Sequence, residues 1–318
     1  MKAAVYHQPG GADVLRYVDM PDPACPPDGA LIRVEAISIE GGDVITRAAL
    51  PLEPGHVPGY AAAGEVMAVG ADVSDRHVGQ KVTSFDIDGS HASLRAVKAS
   101  RTWPVPAGLG MAAAAALPIS FGTAHHCLFA RGALTAGEIV LVQAGAGGVG
   151  LAAIQLAHRA GARVVATVSG PERTERLIAL GADHTVNYRQ VDVLQEVKRL
   201  TAGDGVDLVI DPVGSTLDGS LAALKPEGRL VFVGNAGGSS LAPNLWPALQ
   251  HNQTLLGVFM GTQFEKPPVH RTVSDMLERA AQGELEMIIA ETFPLAEAAR
   301  AHACAEKRTT IGRVIMTP

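Results

Sequence analysis

The stretch EIVLVQAGAGGVGLAAIQLA, residues 138–157, joins an apolar strand to an apolar helix through a cluster of glycines. Gly145, Gly147 and Gly150 match the spacing G-x-G-x-x-G at this junction. In such a turn the first glycine permits the tight bend, the second lets a pyrophosphate approach the backbone, and the third lets the helix pack closely on the strand. The free N–H groups and the dipole at the helix start favour phosphate charge. The stretch therefore predicts a dinucleotide-binding turn, and a tight strand–helix turn without a ligand is the weaker alternative.

Beyond this junction, short apolar strands alternate with helices as far as residue 262. Strands that are apolar along their whole length, separated by helices, are typical of a parallel sheet covered on both faces. We therefore predict an α/β Rossmann domain over residues 116–262, with a six-stranded doubly wound parallel sheet. STLDGSLAALKPEG, residues 215–228, is predicted to be one of its helices. The predicted strands are EIVLVQAG (138–145), RVVATVS (163–169), HTVNY (184–188), GVDLVIDPVG (205–214), GRLVFVGN (228–235) and QTLLGVFMG (253–261).

The sequence on either side of this domain has a different pattern. Residues 1–115 contain short alternating strands separated by Gly, Pro and Asp, which predicts a small β-rich barrel or sandwich. Residues 263–318 contain helices and one closing strand, and we expect this segment to return to the first domain.

Composition narrows the possible partners and compartment. The chain has 318 residues and a net charge of −6 without a basic block, which argues against nucleic acid or an anionic membrane as a partner. No apolar run approaches the ~18 residues of a membrane span, and the N-terminal sequence lacks the apolar core of a signal peptide. Cys25, Cys127 and Cys304 lie far apart, which favours a reduced, cytoplasmic protein and excludes a zinc knuckle.

The end of the second Rossmann strand indicates which dinucleotide binds. An NAD site usually places Asp or Glu there, but this chain has the small neutral Ser169. Arg173 follows within one helical turn and is suited to pair with a 2′-phosphate, and Tyr188 ends the next strand. Glu172 opposes this interpretation unless it only complements the helix dipole. We predict NADPH rather than NADH, with an ordinary surface role for Arg173 or Tyr188 as the alternative.

Several motifs together resemble one family along essentially the whole chain. HVPGYAAAGEVMAVGADV (56–73), AAAAALPISFGTAHHCLF (112–129) and LIALGADHTVNYR (177–189) are similar to the zinc-independent quinone oxidoreductases, the zeta-crystallin-like branch of the medium-chain dehydrogenase/reductase superfamily. The resemblance implies a GroES-like catalytic barrel domain joined to the Rossmann domain, with the active site in the cleft. It also implies a homodimer formed through the Rossmann edge strand, at QTLLGVFMG.

The resemblance also bears on metal use. Zinc enzymes of the superfamily carry Cys after an early strand and Gly-His-Glu in the next motif, whereas this chain has ISIEGGD and Gly59-Tyr60-Ala61. We therefore predict no metal ion. Without a Lewis acid, an acceptor that takes hydride readily is favoured, which means a quinone or, as the alternative, an activated alkene. A second alternative, from another class, is an NADPH-binding sensor or structural protein with little turnover.

The candidate catalytic residues are Ser38, Asp43 and Tyr60. By the resemblance, Ser38 takes the place of an Asn that is common in the family, and Ile45 falls where a Tyr is common. An alkene reductase would need that tyrosine as a proton donor, whereas a quinone reductase would not, because water can protonate a hydroquinone oxygen. The absence of the tyrosine therefore favours quinones. A turn role for Asp43 and a packing role for Tyr60 are the alternatives.

The remaining predictions concern the cofactor and the C-terminal strand. Cys127 is expected to be a buried small hydrophobe. For Arg313 the resemblance implies contact with the cofactor, but a role as a surface strand residue is favoured here. The predicted cofactor contacts are Thr123, Gly145, Ala146, Gly147, Gly148, Val149, Gly150, Ser169, Arg173, Tyr188, Gly234, Asn235, Phe259 and Met260.

Overall fold

The computed structural model describes residues 1–238 and 240–318. The chain divides into two compact units, one formed by Met1–Gly122 with Gly261–Pro318 and the other by Thr123–Met260. The strands are β1 (Lys2–Val5), β2 (Arg16–Asp19), β3 (Gly29–Ser38), β4 (Ala61–Val69), β5 (Lys81–Phe85), β6 (Leu94–Lys98), β7 (Thr102–Pro104), β8 (Ile139–Val142), β9 (Arg163–Val168), β10 (His184–Asn187), β11 (Val206–Asp211), β12 (Leu224–Phe232), β13 (Thr254–Gly257), β14 (Ile289–Pro294) and β15 (Arg313–Thr317).

Helices connect most of these strands. The α-helices are α1 (Gly41–Ala49), α2 (Met111–His125), α3 (Gly148–Arg159), α4 (Thr174–Ala179), α5 (Val193–Leu200), α6 (Leu217–Ala223), α7 (Trp246–Gln250), α8 (Pro267–Ala281) and α9 (Ala298–Lys307). Single 3₁₀ turns cover Ala12–Val14, Ala99–Arg101, Pro171–Arg173, Met260–Thr262 and Leu295–Glu297, and a π-helical segment covers His126–Arg131.

The unit formed by Thr123–Met260 contains a six-stranded sheet in the order β10-β9-β8-β11-β12-β13. Every neighbouring pair is parallel, as the continuous apolar strands predict. The predicted doubly wound Rossmann sheet is thus confirmed. The strand order reverses between β8 and β11, and ligands of such sheets bind beyond the carboxyl ends of the strands at this point. The glycine cluster follows β8 and therefore lies at the switch point.

The other unit is built around a β-rich sheet in the order β14-β15-β3-β4-β5-β7, with β6 also paired to β3. The C-terminal strand β15 runs antiparallel to β3, where Ile315 is the partner of Ser38. This pairing brings the last residues of the chain beside the end of β3. The β-rich fold class predicted for the early sequence is therefore confirmed.

Three elements differ from the sequence predictions. The helix predicted for 215–228 ends at Ala223, because β12 begins at Leu224 and pairs with β11. The last Rossmann strand ends at Gly257, and the chain then turns into the 3₁₀ segment at Met260. The C-terminal segment contributes two strands, β14 and β15, where one was predicted.

The possible turn at Asp43 belongs to helix α1 instead. Glu40 is the N-cap of this helix, and the Asp43 carboxylate accepts a hydrogen bond from the Glu40 backbone N–H at 2.8 Å. Reciprocal bonds of this kind satisfy donors that a helix start leaves without partners, so they stabilise a helix that begins with two glycines.

Candidate active site

The glycine turn after β8 is held together by close packing. A Cβ at Gly150 would overlap the carbonyl oxygen of Ala144 and lie 2.8 Å from the Cα of Gly145. A Cβ at Gly145 would lie 2.8 Å from the Leu177 side chain. The left-handed residue of the turn is Ala144, with φ of 53°, so the bend does not depend on a positive φ at Gly145.

Gly147 differs from these two glycines because the space beside it is open. A Cβ there would have only the Ala144 carbonyl oxygen within 4 Å, at 3.4 Å. Gly147 is the N-cap of α3, and the first N–H groups of a helix have no partners inside it. The backbone at Gly147 thus faces open space at the start of α3, as a pyrophosphate site requires.

Ser169 and Arg173 meet at the end of β9. Both are buried, and Arg173 Nη1 donates a hydrogen bond to Ser169 Oγ. Glu172 is mostly exposed, its carboxylate lies against Gly170, and its Oε1 is 3.5 Å from Arg173 Nε. Tyr188 follows β10 at the same edge of the sheet, and its backbone N–H donates to the Val168 carbonyl at 3.1 Å. The structure therefore brings the predicted 2′-phosphate residues together.

The other predicted cofactor contacts spread along the same unit. Thr123 and Met260 are buried, whereas the side chain of Phe259 is 69% exposed. Gly234 and Asn235 follow β12, and a Cβ at Gly234 would lie 2.9 Å from the Pro212 carbonyl oxygen. These two residues therefore pack against the turn that follows β11.

Sequence reasoning did not single out Asp211, which ends β11. Its carboxylate is fully buried and accepts hydrogen bonds from the N–H groups of Val213 and Gly214 and from the hydroxyls of Thr216 and Ser220. Four donors hold the turn at the switch point in one conformation. The signal was available, since an Asp at the end of a buried strand needs such donors.

The other unit places Ser38, Glu40, Asp43 and Arg313 in one buried cluster beyond β3. Ser38 Oγ donates to Glu40 Oε1 at 2.7 Å, and Arg313 forms an ion pair with the other carboxylate oxygen of Glu40. Arg313 Nε also donates to Ser120 Oγ at 3.1 Å. The surface position predicted for Arg313 is therefore wrong. Its side chain is only 12% exposed, because β15 pairs with β3 and carries it to Glu40.

This cluster holds two buried carboxyl groups beside one cation. Burial raises the pKa of Asp43 from 3.8 to about 8, and the neighbouring Glu40 carboxylate adds to the rise. Burial also raises the pKa of Glu40, while the Arg313 guanidinium and the Ser38 hydroxyl oppose that rise. Burial therefore favours the protonated form of Asp43, whereas the contacts with Ser38 and Arg313 stabilise the charged form of Glu40.

Tyr60 lies beside the same helix. Its ring packs directly on Gly42, where a Cβ would overlap the ring atoms. Its hydroxyl is 3.1 Å from Thr46 Oγ1, and burial raises the pKa of the phenol. Tyr60 is partly exposed as a residue, and its contact with Thr46 orients the phenol against α1.

The structure thus places Ser38, Asp43 and Tyr60 around one end of β3 and the start of α1. Glu40 was missed because Glu is not a usual N-cap residue, and only the structure shows that it caps α1. Cys127 is fully buried, as predicted, and burial raises the pKa of its thiol. Within residues 1–238 and 240–318, no group of three or more His, Cys, Asp or Glu side chains has a metal-binding arrangement.

Comparisons with known proteins agree with this architecture. The model of the alcohol dehydrogenase GroES-like domain matches residues 26–136, and that of the zinc-binding dehydrogenase family matches residues 148–281. A quinone oxidoreductase of Pseudomonas aeruginosa is 33% identical over 319 residues, which cover 97% of each chain. The chain belongs to the quinone oxidoreductase branch of the medium-chain dehydrogenase/reductase superfamily. A 2-haloacrylate reductase of Burkholderia is 32% identical and covers 99% of this chain and 98% of its own.

Solved structures give the same result. The quinone oxidoreductase of Escherichia coli, complexed with NADPH, superposes with a TM-score of 0.93 at 28% identity over the whole of both chains. A mycobacterial protein complexed with NADPH superposes with a TM-score of 0.94 at 32% identity, also over the whole of both chains. In the described part of this chain, no helix has the length and apolarity needed to cross a membrane.

Proposed function

We propose that this protein is an NADPH-dependent oxidoreductase that passes hydride to a quinone without a metal ion. The observation that carries the proposal is the buried pair of Ser169 and Arg173 at the end of β9. A neutral residue and a guanidinium at this position suit a 2′-phosphate, whereas NADH usually needs a carboxylate there. The two NADPH-bound structural neighbours support the same cofactor.

The residues of the Rossmann unit fit such a cofactor. The open backbone at Gly147 would face the pyrophosphate, since a side chain there would extend into the free space beside the turn. Thr123, Gly234, Asn235, Phe259 and Met260 remain proposed contacts to the nicotinamide half. When bound, the nicotinamide supplies the hydride, and the protein supplies binding and orientation.

In the other unit, Tyr60 is the proposed substrate-pocket residue. Ser38, at the end of β3, and Asp43, in the first turn of α1, are the other proposed catalytic residues. Thr46 fixes the direction of the phenol, and the Glu40–Arg313 pair holds the loop between β3 and α1. A hydroquinone oxygen can be protonated by water, so a quinone acceptor requires no further acid from the protein.

A specific observation favours activated alkenes as the second candidate substrates. Asp43 lies in the first turn of α1, on which the Tyr60 ring packs, and burial raises its pKa to about 8 and so favours its protonated form. Reduction of an alkene requires a proton after the hydride. The name of the 2-haloacrylate reductase, a relative across the whole chain, supports this candidate as well.

The deciding experiment measures NADPH oxidation by the chelator-treated protein with a panel of quinones and of α,β-unsaturated carbonyl compounds, with NADH in parallel. NADPH loss with quinones supports the proposal, and loss only with the unsaturated carbonyls transfers it to alkene reduction. Faster turnover with NADH would contradict the assignment of Ser169 and Arg173. Tight NADPH binding without turnover would favour a sensor.

We further propose a homodimer in the cytoplasm. The strand β13 is the edge of its sheet, and the nearby segment 241–249 exposes large apolar side chains, of which Trp246 is 62% and Leu249 67% exposed. Monomeric proteins rarely expose such patches, so a second copy paired along β13 is the proposed cover. The three cysteines carry free thiols, which suits a reducing compartment.

A further inference from the structure

A continuous chain of polar side chains lies buried in the unit that holds Tyr60. Arg47 pairs with Glu306, and Arg47 Nη1 is 3.1 Å from His302 Nδ1. His302 Nε2 is 2.8 Å from His91 Nε2, and His91 Nδ1 is 3.0 Å from Ser90 Oγ. Glu306 is partly exposed, and the other four residues are almost completely buried. Burial of these polar groups costs free energy, and the four hydrogen-bonded contacts offset that cost by satisfying them.

The direction of every hydrogen bond follows from the arginine. A guanidinium only donates, so His302 Nδ1 must accept, and the proton of neutral His302 is on Nε2. His91 Nε2 then accepts, and His91 donates from Nδ1 to Ser90 Oγ. Both histidines are neutral: burial lowers the pKa of His91 to about 3 and that of His302 well below its usual range, and Arg47 and Arg95 add to the decrease for His91. One tautomer of each ring is therefore required.

One end of this series of hydrogen bonds, at His91 and Ser90, packs against the turn that precedes Tyr60. Gly59 has φ of 107°, and a Cβ there would overlap His91 Nδ1 and Ser90 Oγ. The backbone N–H groups of Ser90 and His91 donate to the carbonyls of Gly59 and Pro58, each at 3.0 Å. The ring of His91 and the hydroxyl of Ser90 therefore pack directly against this turn.

At its other end this hydrogen-bond network reaches helix α1, whose Thr46 contacts the phenol of Tyr60. Arg47 lies on α1 one residue after Thr46, whose hydroxyl contacts the Tyr60 hydroxyl. His302 and Glu306 lie one turn apart on α9. The links thus run from the turn at Pro58 and Gly59, which precedes Tyr60, through His91, His302 and Arg47 to α1, where Thr46 contacts the phenol. A change in any of these residues is therefore expected to alter the turn before Tyr60 or the helix that contacts its hydroxyl.

We propose that Arg47, His302 and His91 are positioning residues that orient Tyr60 through this series of hydrogen bonds, in which the donor and the acceptor of each bond are fixed. The role of Tyr60 in the substrate pocket rests on the proposed function. The chain orients and does not conduct protons, because an arginine stays protonated and breaks any relay.

The first test measures the tautomers in the unaltered protein. Two-dimensional ¹H–¹⁵N spectra of protein labelled at histidine, with the two rings assigned through His302→Gln and His91→Gln, are expected to show His302 protonated at Nε2 and His91 at Nδ1. A proton on His302 Nδ1, or a charged ring at pH 7, would overturn the proposal. This readout does not depend on turnover, so it stands even if no quinone is reduced.

The second test compares His302→Leu with His302→Gln. Glutamine can accept from Arg47 and donate to His91, whereas leucine does neither. We expect His302→Leu to shift the ring resonance of Tyr60 in spectra of tyrosine-labelled protein, assigned with Tyr60→Phe, and to lower kcat/KM for the acceptor about tenfold with the Kd for NADPH unchanged. His302→Gln is expected to restore both.

The matched control is His270→Leu, which removes a half-buried histidine that stacks on Trp103 and bonds the Thr102 carbonyl at 3.0 Å. It should leave the Tyr60 resonance and kcat/KM unchanged. If His302→Leu lowers the melting temperature but leaves the Tyr60 resonance in place, the chain is only structural and the proposal is wrong. If the resonance moves and no acceptor is reduced by the wild type, the proposed function fails while the positioning role stands.

Discussion

At the scale of single residues, the preference for NADPH depends on Arg173. We expect Arg173→Gln to raise KM for NADPH about 10- to 100-fold and to change KM for NADH less than about threefold, because a hydrogen bond to a charged group contributes about 1.5–3 kcal/mol. Steady-state kinetics with both cofactors measure the difference. Arg199→Gln, which removes the same charge from an exposed side chain of α5 paired with Glu196, is the control. Equal losses with both cofactors would contradict a 2′-phosphate contact.

The buried carboxyl of Asp43 makes a prediction about pH. Because its pKa is raised to about 8 from 3.8, the folded protein keeps a proton that the unfolded chain loses as the pH rises through this range. Stability therefore falls as the pH rises from about 4 towards 8. Asp43→Asn removes this dependence, so thermal melts at pH 5 to 8 should show a flatter curve for the variant than for the wild type.

The control for this prediction is Asp72→Asn, because the side chain of Asp72 is exposed. Its melting temperatures should follow those of the wild type at each pH. Parallel curves for Asp43→Asn and the wild type would show that the fold does not retain a proton at Asp43.

The residues that sequence reasoning found differ in kind from those that it missed. The proximity of Ser169 and Arg173 could be predicted, since both follow one strand within a few residues, whereas their contact with the cofactor stays a prediction. The pair of Glu40 and Arg313 was not, because it forms only when β15 pairs with β3, a contact between the two ends of the chain. The same holds for His91 and His302, which come from distant segments. Local patterns predict local sites, whereas buried ion pairs and hydrogen-bond chains depend on long-range strand pairing.

At the scale of elements, the junction of β8 and α3 contains one glycine required for packing, Gly150, and another proposed to face the cofactor, Gly147. Gly150→Ala places a Cβ against the Ala144 carbonyl, and we expect it to lower the free energy of unfolding by about 1–3 kcal/mol, as overpacking does. Gly147→Ala meets only one atom, at 3.4 Å, and its φ of −80° suits alanine. It should leave the melting temperature nearly unchanged and raise the Kd for NADPH at least about tenfold.

Thermal melts and NADPH titration of these two variants form a matched comparison, since each adds one methyl group to the same turn. Gly219→Ala, in a helix with nothing within 4 Å of the new Cβ, is the control for glycine replacement itself. If Gly147→Ala binds NADPH as tightly as the wild type, the pyrophosphate does not approach this backbone.

Most strands and helices could be predicted where the alternation of apolar strands with helices continued along the sequence. Continuous apolar strands alternating with helices predict the six parallel strands, because this pattern fits only a sheet covered on both faces. The helix predicted for 215–228 was too long because β12 begins at Leu224, where pairing with β11 overrides the local helix pattern. Strand β14 was missed for a similar reason, since its parallel partner β15 lies beyond α9. Element ends thus depend on partners that the local sequence does not contain.

At the scale of the whole molecule, the proposed assembly follows from the edge of the Rossmann sheet. Among residues 1–238 and 240–318, β13 pairs only with β12, so its other side is available for a second copy. Trp246 and Leu249 both lie on α7, the helix that precedes β13 in the sequence, and both are more than half exposed. An apolar patch next to a strand edge is the arrangement that sheet-to-sheet dimers bury.

We therefore expect the purified protein to be a dimer and the double variant Trp246→Glu and Leu249→Glu to be a monomer, because two charges would be buried without partners in the interface. Sedimentation velocity at several concentrations measures the change, and NADPH titration should show that the variant still folds. Val78→Glu with Ile87→Glu introduces the same charges at exposed apolar positions of the other unit and should leave the dimer intact. If the wild type sediments as a monomer, or if only the control pair dissociates it, the edge of β13 is not the interface, and the exposed tryptophan must be explained by another partner.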